Sequence, residues 1–598
     1  MKTKTTINGN GFRYIAEIPE FKNGLPHGIL NKKSTDVGGT FATLKCKSNY
    51  IIVCPFIDLV DSIADDKNAP YKVFKIYSGI KESDFIDYIN SNSIYKIAVT
   101  YDSFPKLIKW LDKLNLTDTF KVLVDEYHLL LEDLGFRETA IIGLINQLKR
   151  FKHYTFLSAT PIEETFLPDI LNELPYTEIN WGVETKLIPT RIRTNNTTKA
   201  AVNLINEFIS DALYLKNEDY IKVEQLYIFC NSVLSISEII QTCKLTNEDV
   251  KVVCRDSIRN SQNLKDIEIS KISSPNKPIN FFTKKGFQGC NLFTNNGLVV
   301  VISDSGKKQT AIDIQTTLYQ INGRLRTNSE YDNVFKNRLW HIYSTGYVTQ
   351  TEDEFLEEII TTISDSKNII SIYNKLTNEE KETLKKRDVS DLFCVFNGES
   401  FEYSHFKEQY TRFNYNLTQS IYKNGLSLKQ AYNKAGLIAN DLNAYNKSDD
   451  VIIKKIVTVS FRELIEQYIT LRLDGTDVLM VDRFNIEYPL FKDAFELIGK
   501  SGISTCGYVE SKIIEAIKTK KSMNLVYREF LNIVKPNTFI SNKDAKEILK
   551  TIYSNLGIKG LPTTSILKDS IIFDVIETRP TIKGKSVRGI TIKTIYKL

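Results

Sequence analysis

Residues 122–128, VLVDEYH, place two carboxylates, Asp125 and Glu126, directly after a short apolar run. A carboxylate pair at the carboxyl end of a buried strand can hold a divalent cation through one member and orient an attacking water through the other. A second apolar run ends in Ser158, Ala159 and Thr160 before Pro161, which offers two hydroxyls at another strand end. Far downstream, residues 320–326 read QINGRLR. Gln320 there can orient a water or a phosphate oxygen, and Arg324 and Arg326 can stabilise charge building on a transferred phosphoryl group. Near the start, residues 32–40, KKSTDVGGT, precede a helix-like run at 41–44. Such a loop can cradle phosphates with its backbone N–H groups. Gly38 and Gly39 would let the chain come close, and the Thr40 hydroxyl could join Asp125 in holding Mg²⁺.

These groups need a scaffold that brings distant strand ends together. Strand-like runs at 50–55, 71–77, 95–100, 120–124 and 154–157 alternate with helical periodicity, as at 104–111 and 140–150. That alternation predicts a parallel sheet covered by helices. A second block repeats it after residue 185, with strands expected at 226–230, 250–254, 279–283, 298–303 and 340–343. In sheets of this kind ligands bind beyond the carboxyl ends of the strands. After about residue 350 the chain turns helical, and 400–515 carry no readable motif.

The order DExH, then SAT, then Q-x-x-G-R resembles the superfamily 2 helicases over roughly residues 25 to 345. The resemblance implies an α/β chain with two tandem RecA-like domains, at 1–185 and 186–350. A mostly helical accessory region at 351–515 and a basic, winged-helix-like module at 516–598 would follow. It also implies ATP and Mg²⁺ bound between the two domains, with Asp125, Glu126, Gln320, Arg324 and Arg326 as the catalytic set. His128, Ser158 and Thr160 would couple nucleotide state to strand binding. Nucleic-acid contacts would come from Thr100, Ser103, Asn231, Thr283, Lys284 and Lys285. The implied activity is nucleic-acid-dependent ATP hydrolysis driving translocation and unwinding, on single-stranded DNA or a duplex junction, with RNA as another substrate.

The phosphate loop departs from the family pattern. In G-x-x-x-x-G-K-[ST] the last three positions align with Gly38, Gly39 and Thr40, so a glycine stands where the phosphate lysine belongs. Two readings stay open. In one, Lys33 or Lys32 reaches the phosphates from the front of the loop. In the other, the site is degenerate and the fold serves as a DNA-binding or structural partner. Helicase-like proteins of large bacterial phages and mobile elements are similar in opening this loop with N-K, as Asn31-Lys32 does, and closing it with G-x-T. That likeness would place the chain in a host bacterial cytoplasm, alongside other replication or phage proteins. The Q-x-x-G-R element also departs, since position 327 is Thr and the second arginine falls one place early.

Bulk properties fit this class. The net charge of +6 is uneven. Residues 521–598 hold 14 Lys and Arg against 6 Asp and Glu, a surplus of eight that leaves the rest near −2. A basic module on a neutral body suits contact with a phosphate backbone. Its pattern predicts a helix opened by Ser541 and stopped by Gly557, a second short helix at 564–568, and a hairpin with Lys583, Lys585 and Arg588 at its tip. Eight scattered cysteines without a C-x-x-C pair read as reduced core residues rather than a metal site. No apolar run reaches the ~20 residues of a membrane span, so no membrane partner is expected.

Overall fold

The computed structural model describes residues 3–595, apart from 36, 183–186, 217–219, 288–290, 327–331, 378–388, 390, 397–398, 443–452, 476, 559, 571 and 583–584. The expected boundary at 185 and the tip residue Lys583 lie outside the described residues. The chain divides into two compact units, residues 1–256 with 264–456, and residues 257–263 with 457–598.

The first unit holds two parallel sheets, as two RecA-like lobes require. Sheet one comprises β1 (Lys4–Asn8), β2 (Gly28–Asn31), β3 (Asn49–Cys54), β4 (Val73–Ile76), β5 (Lys96–Thr100), β6 (Phe120–Asp125), β7 (Tyr154–Ser158) and β8 (Tyr176–Asn180). Their spatial order is β1-β8-β2-β7-β6-β3-β5-β4, and every pairing is parallel. Helices cover both faces, so central strands such as β3 (NYIIVC) are apolar throughout rather than alternating. Three strands were not anticipated. β1 and β8 pair at one edge, and four-residue β2 is too short to give a period.

Sheet two comprises β9 (Ile188–Arg193), β10 (Gln225–Phe229), β11 (Val250–Val253), β12 (Ile279–Phe282), β13 (Gly297–Ser303), β14 (Arg338–Tyr343) and β15 (Asn440–Asp441). The order β11-β12-β10-β13-β14-β9-β15 is again wholly parallel.

The accessory region expected at 351–515 is not one body. Helix His405–Tyr415 buries Phe406 and Phe413 in the core of lobe one. The π-helical turn Asn416–Ile421 then leads to helix Gly425–Lys434, and Tyr422, Leu428, Tyr432 and Leu437 enter the core of lobe two. These aromatic anchors stand in a largely polar segment, which is why periodicity concealed them.

In the second unit, helices Phe461–Asp474, Val478–Glu487, Pro489–Leu497 and Gly499–Thr505 gather around Tyr468, Phe484 and Phe491. The expected boundary at 516 falls inside helix Glu510–Ile533. This helix gives Ile513 and Ile517 to that core, and Val526, Tyr527 and Phe530 to the C-terminal one. Ser541 caps helix Asn542–Asn555, and strands Phe539–Ser541, Phe573–Thr578 and Gly589–Ile595 form an antiparallel sheet. The second short helix expected at 564–568 is present as a 3₁₀ helix, Thr564–Asp569. Gly560 and Pro562 before it and the β-branched Thr563 and Thr564 disfavour an α-helix there. Among the described residues no helix is long and apolar enough to cross a membrane.

One polar side chain in sheet one has a clear structural task. Lys96 on β5 is fully buried, and its amine donates to the carbonyls of Thr43 (2.6 Å), Cys46 (2.8 Å) and Ser48 (2.7 Å). It thereby satisfies terminal carbonyls of α1 (Gly39–Lys45), the helix behind the phosphate loop. Burial pushes the Lys96 amine down to about 8. Between that value and the ordinary lysine range the unfolded chain binds the extra proton, so this group's contribution to stability rises with pH across that window. Lys96→Met is expected to cost about 1–3 kcal/mol by orphaning the carbonyls. The penalty, read from urea unfolding at a series of pH values, should be smallest below pH 8 and grow above it. A penalty that stays flat or shrinks above pH 8 contradicts this assignment.

Candidate functional site

The topology places β7 between β2 and β6, so the phosphate loop, the SAT turn and the acidic pair open from three adjacent strands. Asn31 pairs with Ser158 across β2 and β7, and Asp125 with Leu157 across β6 and β7. All three motifs therefore emerge at one level of the sheet's carboxyl edge.

Gly38, at φ +71°, turns the loop into α1, a conformation that L side chains rarely adopt. Gly39 begins the helix against β7, where a Cβ would meet Leu157 Cδ2 at 2.6 Å. The missing lysine is thus matched by missing space. The front of the loop is tied down instead: Lys32 N donates to Ser158 O (2.9 Å), Trp181 Nε1 to Lys32 O (2.8 Å), and Lys33 N to Asn31 Oδ1 (2.9 Å).

The two loop lysines diverge. Lys32 is largely buried and its Nζ lies 3.3 Å from Glu126 Oε1. Lys33, with φ +57°, points the other way and rests 3.5 Å from Glu178 Oε2. The geometry therefore brings Lys32, not Lys33, to the acidic pair. An amine can enter from the front of the loop because β2 ends one residue earlier and aims residue 32 across β7.

Thr40 Oγ1 donates to Asp125 Oδ2 at 2.7 Å, and Glu126 N to Asp125 Oδ1 at 3.0 Å. A hydroxyl and a carboxylate in contact form an all-oxygen donor pair that suits Mg²⁺. Among the described residues no group of three or more His, Cys, Asp or Glu is arranged to hold a metal ion. A cation here would therefore draw its remaining ligands from phosphate and water, as Mg²⁺ commonly does.

Glu126 sits at φ +49°, a strained backbone for a non-glycine residue. Burial pushes its carboxyl up, but Lys32, His128 and Arg324 together outweigh burial and hold it below the usual range. Asp125 behaves oppositely: burial, with Glu126 beside it, raises its carboxyl despite the pull of Lys32. Two adjacent carboxylates are thus driven apart in acidity by their surroundings. Tyr127, the unusual third residue of the motif, packs edge-on against Phe156.

Lobe two closes the site. Gln320, fully buried on helix Thr317–Asn322, donates to Glu126 Oε2 (3.1 Å) and Thr160 Oγ1 (3.0 Å). His128 Nδ1 meets Ser158 Oγ at 2.9 Å and lies 3.5 Å from Glu126 Oε2, while Ser158 Oγ accepts from Thr160 N at 3.0 Å. Glu126, His128, Ser158, Thr160 and Gln320 therefore form a ring of polar contacts joining both lobes. Arg324 donates from Nε to Gln320 O (3.0 Å) and from Nη2 to Gln320 Oε1 (2.5 Å). Arg326 turns back onto Gly323 O, so Arg324 is the guanidinium that acts on Glu126. A Cβ on Gly323 would meet Thr35 Oγ1 at 2.6 Å, so lobe two touches the phosphate loop itself.

The residues expected to contact nucleic acid fare differently. Thr100 and Ser103 are mostly covered at the end of β5. Asn231 donates to Gln309 O and accepts from Lys284 N, joining the loops after β10 and β12. Thr283 bonds Val253 O, and Lys285 is half-buried. The Lys284 amine lies 2.7 Å from Asp133 of lobe one, an ion-pair partner that the sequence reading did not anticipate. In the second unit Lys585 is exposed and Arg588 pairs with Glu577 at 3.1 Å. Sequence reasoning missed Glu132, Asp133, Thr316 and Thr317. The only signal was an acid pair shortly after the DEYH motif.

No protein-family model matches the sequence, and no curated protein matches it either. Solved structures similar to the chain include Mss116p bound to ssRNA and AMP-PNP, at 13% identity over 62% of this chain and 82% of that one, TM-score 0.35. Dbp5 of S. cerevisiae bound to RNA and ADP BeF3 gives 12% identity over 57% and 84%, TM-score 0.36. T4 UvsW gives 13% identity over 73% and 78%, TM-score 0.21.

The packing at Gly39 yields a direct test. Gly39→Lys, which places a lysine where the G-x-x-x-x-G-K-[ST] pattern has one, is expected to destabilise the protein by about 1–3 kcal/mol through the clash with Leu157. It should add nothing to any nucleotide-dependent activity. A variant with unchanged urea midpoint and higher turnover would show that the space exists and the reading of the loop is mistaken.

Proposed function

We propose that this protein is an ATP-dependent nucleic-acid translocase of the superfamily 2 type, hydrolysing ATP in the crevice between its two lobes to move along and unwind nucleic acid. One observation carries the proposal. Lys32, Thr40, Asp125 and Glu126 from lobe one and Gln320 and Arg324 from lobe two converge in one cluster, linked by contacts of 2.5–3.3 Å.

In this reading Thr40 and Asp125 hold Mg²⁺, which when bound neutralises phosphate charge. Lys32 takes the place of the absent phosphate lysine and binds the triphosphate. Glu126, ionised because Lys32, His128 and Arg324 favour its charged form, accepts the proton of the attacking water. Gln320 orients that water, and Arg324 stabilises negative charge on the transferred phosphoryl group. Both hydroxyls of the SAT turn join the ring through Glu126, so a change at the phosphate is felt at strand ends where nucleic acid would lie. The phage-related setting and the basic C-terminal module's part in DNA binding belong to the same proposal. The degenerate-scaffold alternative is disfavoured because it leaves the separated acidities of Asp125 and Glu126, and the strained Glu126, without a purpose.

Steady-state ATP hydrolysis with single-stranded DNA, single-stranded RNA and duplex tests the reading. Glu126→Gln should lower kcat by about 100-fold or more while nucleotide still binds. Lys32→Ala should weaken nucleotide binding by about tenfold, and Lys33→Ala should change it less than about twofold. Turnover no higher than background with every nucleic acid, or a Lys33→Ala defect larger than that of Lys32→Ala, would refute the assignment.

A further inference from the structure

Lobe one presents two adjacent acids, Glu132 and Asp133, at the end of the short helix Leu129–Glu132 that follows the DEYH motif. Both are met by lobe two. Thr316 Oγ1 donates to Glu132 Oε1 at 2.6 Å and Thr317 Oγ1 to Glu132 Oε2 at 3.0 Å. Asp133 is fully buried, and Lys284 Nζ, at 2.7 Å, is the one cation within ion-pair distance among the described residues. The same amine also reaches Glu132 O at 3.2 Å. Thr316 is itself fixed, since Asp313 Oδ1 accepts from Thr316 N (2.8 Å) and Gln315 N (2.9 Å) and lies 2.9 Å from Thr316 Oγ1, whose one proton the two carboxylates share.

Thr316 and Thr317 lie one helical turn before Gln320, and Arg324 stands just past the helix end, bonded back to Gln320 O and Oε1. Holding both hydroxyls on Glu132 therefore sets where Gln320 and Arg324 stand over Glu126. Lys284 fixes the loop after β12 to the same short helix. An unpaired carboxylate at a fully buried position is strongly unfavourable, so Asp133 favours the arrangement in which lobe two supplies its cation.

We propose that Glu132 and Asp133 of lobe one, with Lys284, Thr316 and Thr317 of lobe two, form an interlobe latch whose residues position Gln320 and Arg324 over Glu126. None of the five touches the reacting atoms. The latch makes closure of the crevice all-or-none, because the cation and both hydroxyls engage or separate together. The kinetic part of this inference rests on the ATPase reading of the crevice; the geometric part does not.

The full-length protein is compared with Lys284→Met, Asp133→Asn, their double variant, Lys284→Arg and Thr316→Val. A latch predicts that Lys284→Met and Asp133→Asn each lower kcat for ATP by about tenfold while KM moves less than about twofold. The double variant should be no worse than either single one, and Lys284→Arg should restore most of the rate. Thr316→Val removes a hydroxyl that meets Glu132 and Asp313 but leaves the Lys284–Asp133 pair in place, and it should show a smaller loss of the same kind. Spin labels at exposed Asp87 and Glu248, one on each lobe, report the interlobe distance without reference to turnover. Lys284→Met should lengthen and broaden that distance. Unchanged kcat in the single variants, losses that multiply in the double one, or an unaltered distance distribution would each overturn the latch. Should the wild type prove unable to hydrolyse ATP, the functional reading fails and the distance measurement alone decides the latch.

Discussion

Asp125 and Glu126 are neighbouring carboxylates buried at one strand end, and a low-dielectric crevice does not tolerate two such charges without compensation. Much of the surrounding structure answers that constraint. A lysine enters from the front of the loop, a guanidinium from the other lobe, and a histidine from the same turn, all acting on Glu126. The Thr40 hydroxyl and a backbone N–H act on Asp125. The outcome is a division of labour written in electrostatics, with one carboxylate kept ionised and its neighbour made harder to ionise. Removing Lys32 or Arg324 would blur that division.

The position of the lysine is a geometric consequence of packing. A phosphate-binding lysine at the start of α1 needs room between that helix and β7, and Leu157 fills it. With the helix seated so closely, the loop's own lysine comes to the acidic pair from the end of β2. Lys32 does so, anchored on both sides by bonds from its own backbone to Ser158 and Trp181. The phosphate loop, the SAT turn and the acidic pair are therefore parts of one unit, and the polar ring through Gln320 extends it to the second lobe. Under the proposed function, that linkage would let a chemical event at one point alter the relation of two domains.

The sequence made ten of the fifteen parallel strands legible because doubly buried strands are continuous apolar runs, as in 122–124 and 298–302. The acidic pair, the SAT turn and the Gln–Arg element could be read for a related reason. Motifs at strand ends are bounded by the strands themselves. Other features were hidden. Short β2, the edge strand β1 with its neighbour β8, and β9 and β15 of sheet two are not continuous apolar runs flanked by clear helices. The segment from His405 to Lys434 carries its core aromatics singly among polar residues, so neither its attachment to both lobes nor its π-helical turn could be read. Helix Glu510–Ile533 serves two cores with two different faces, which hides the division between them. Lys284 shows the limit most plainly, since a lysine beside glycines in a loop suits a phosphate equally well as a buried carboxylate. Only the fold brings Asp133 beside it.

The central claim is that a nucleoside triphosphate lies between the lobes, held by Lys32 on one side and Arg324 on the other. A crystal structure of the protein with a non-hydrolysable ATP analogue and Mg²⁺ tests this most directly. The account predicts the terminal phosphate within hydrogen-bonding distance of both Lys32 Nζ and the Arg324 guanidinium, with the cation on Thr40 and Asp125. A triphosphate bound elsewhere, or held by Lys33 while Lys32 stays on Glu126, would contradict it.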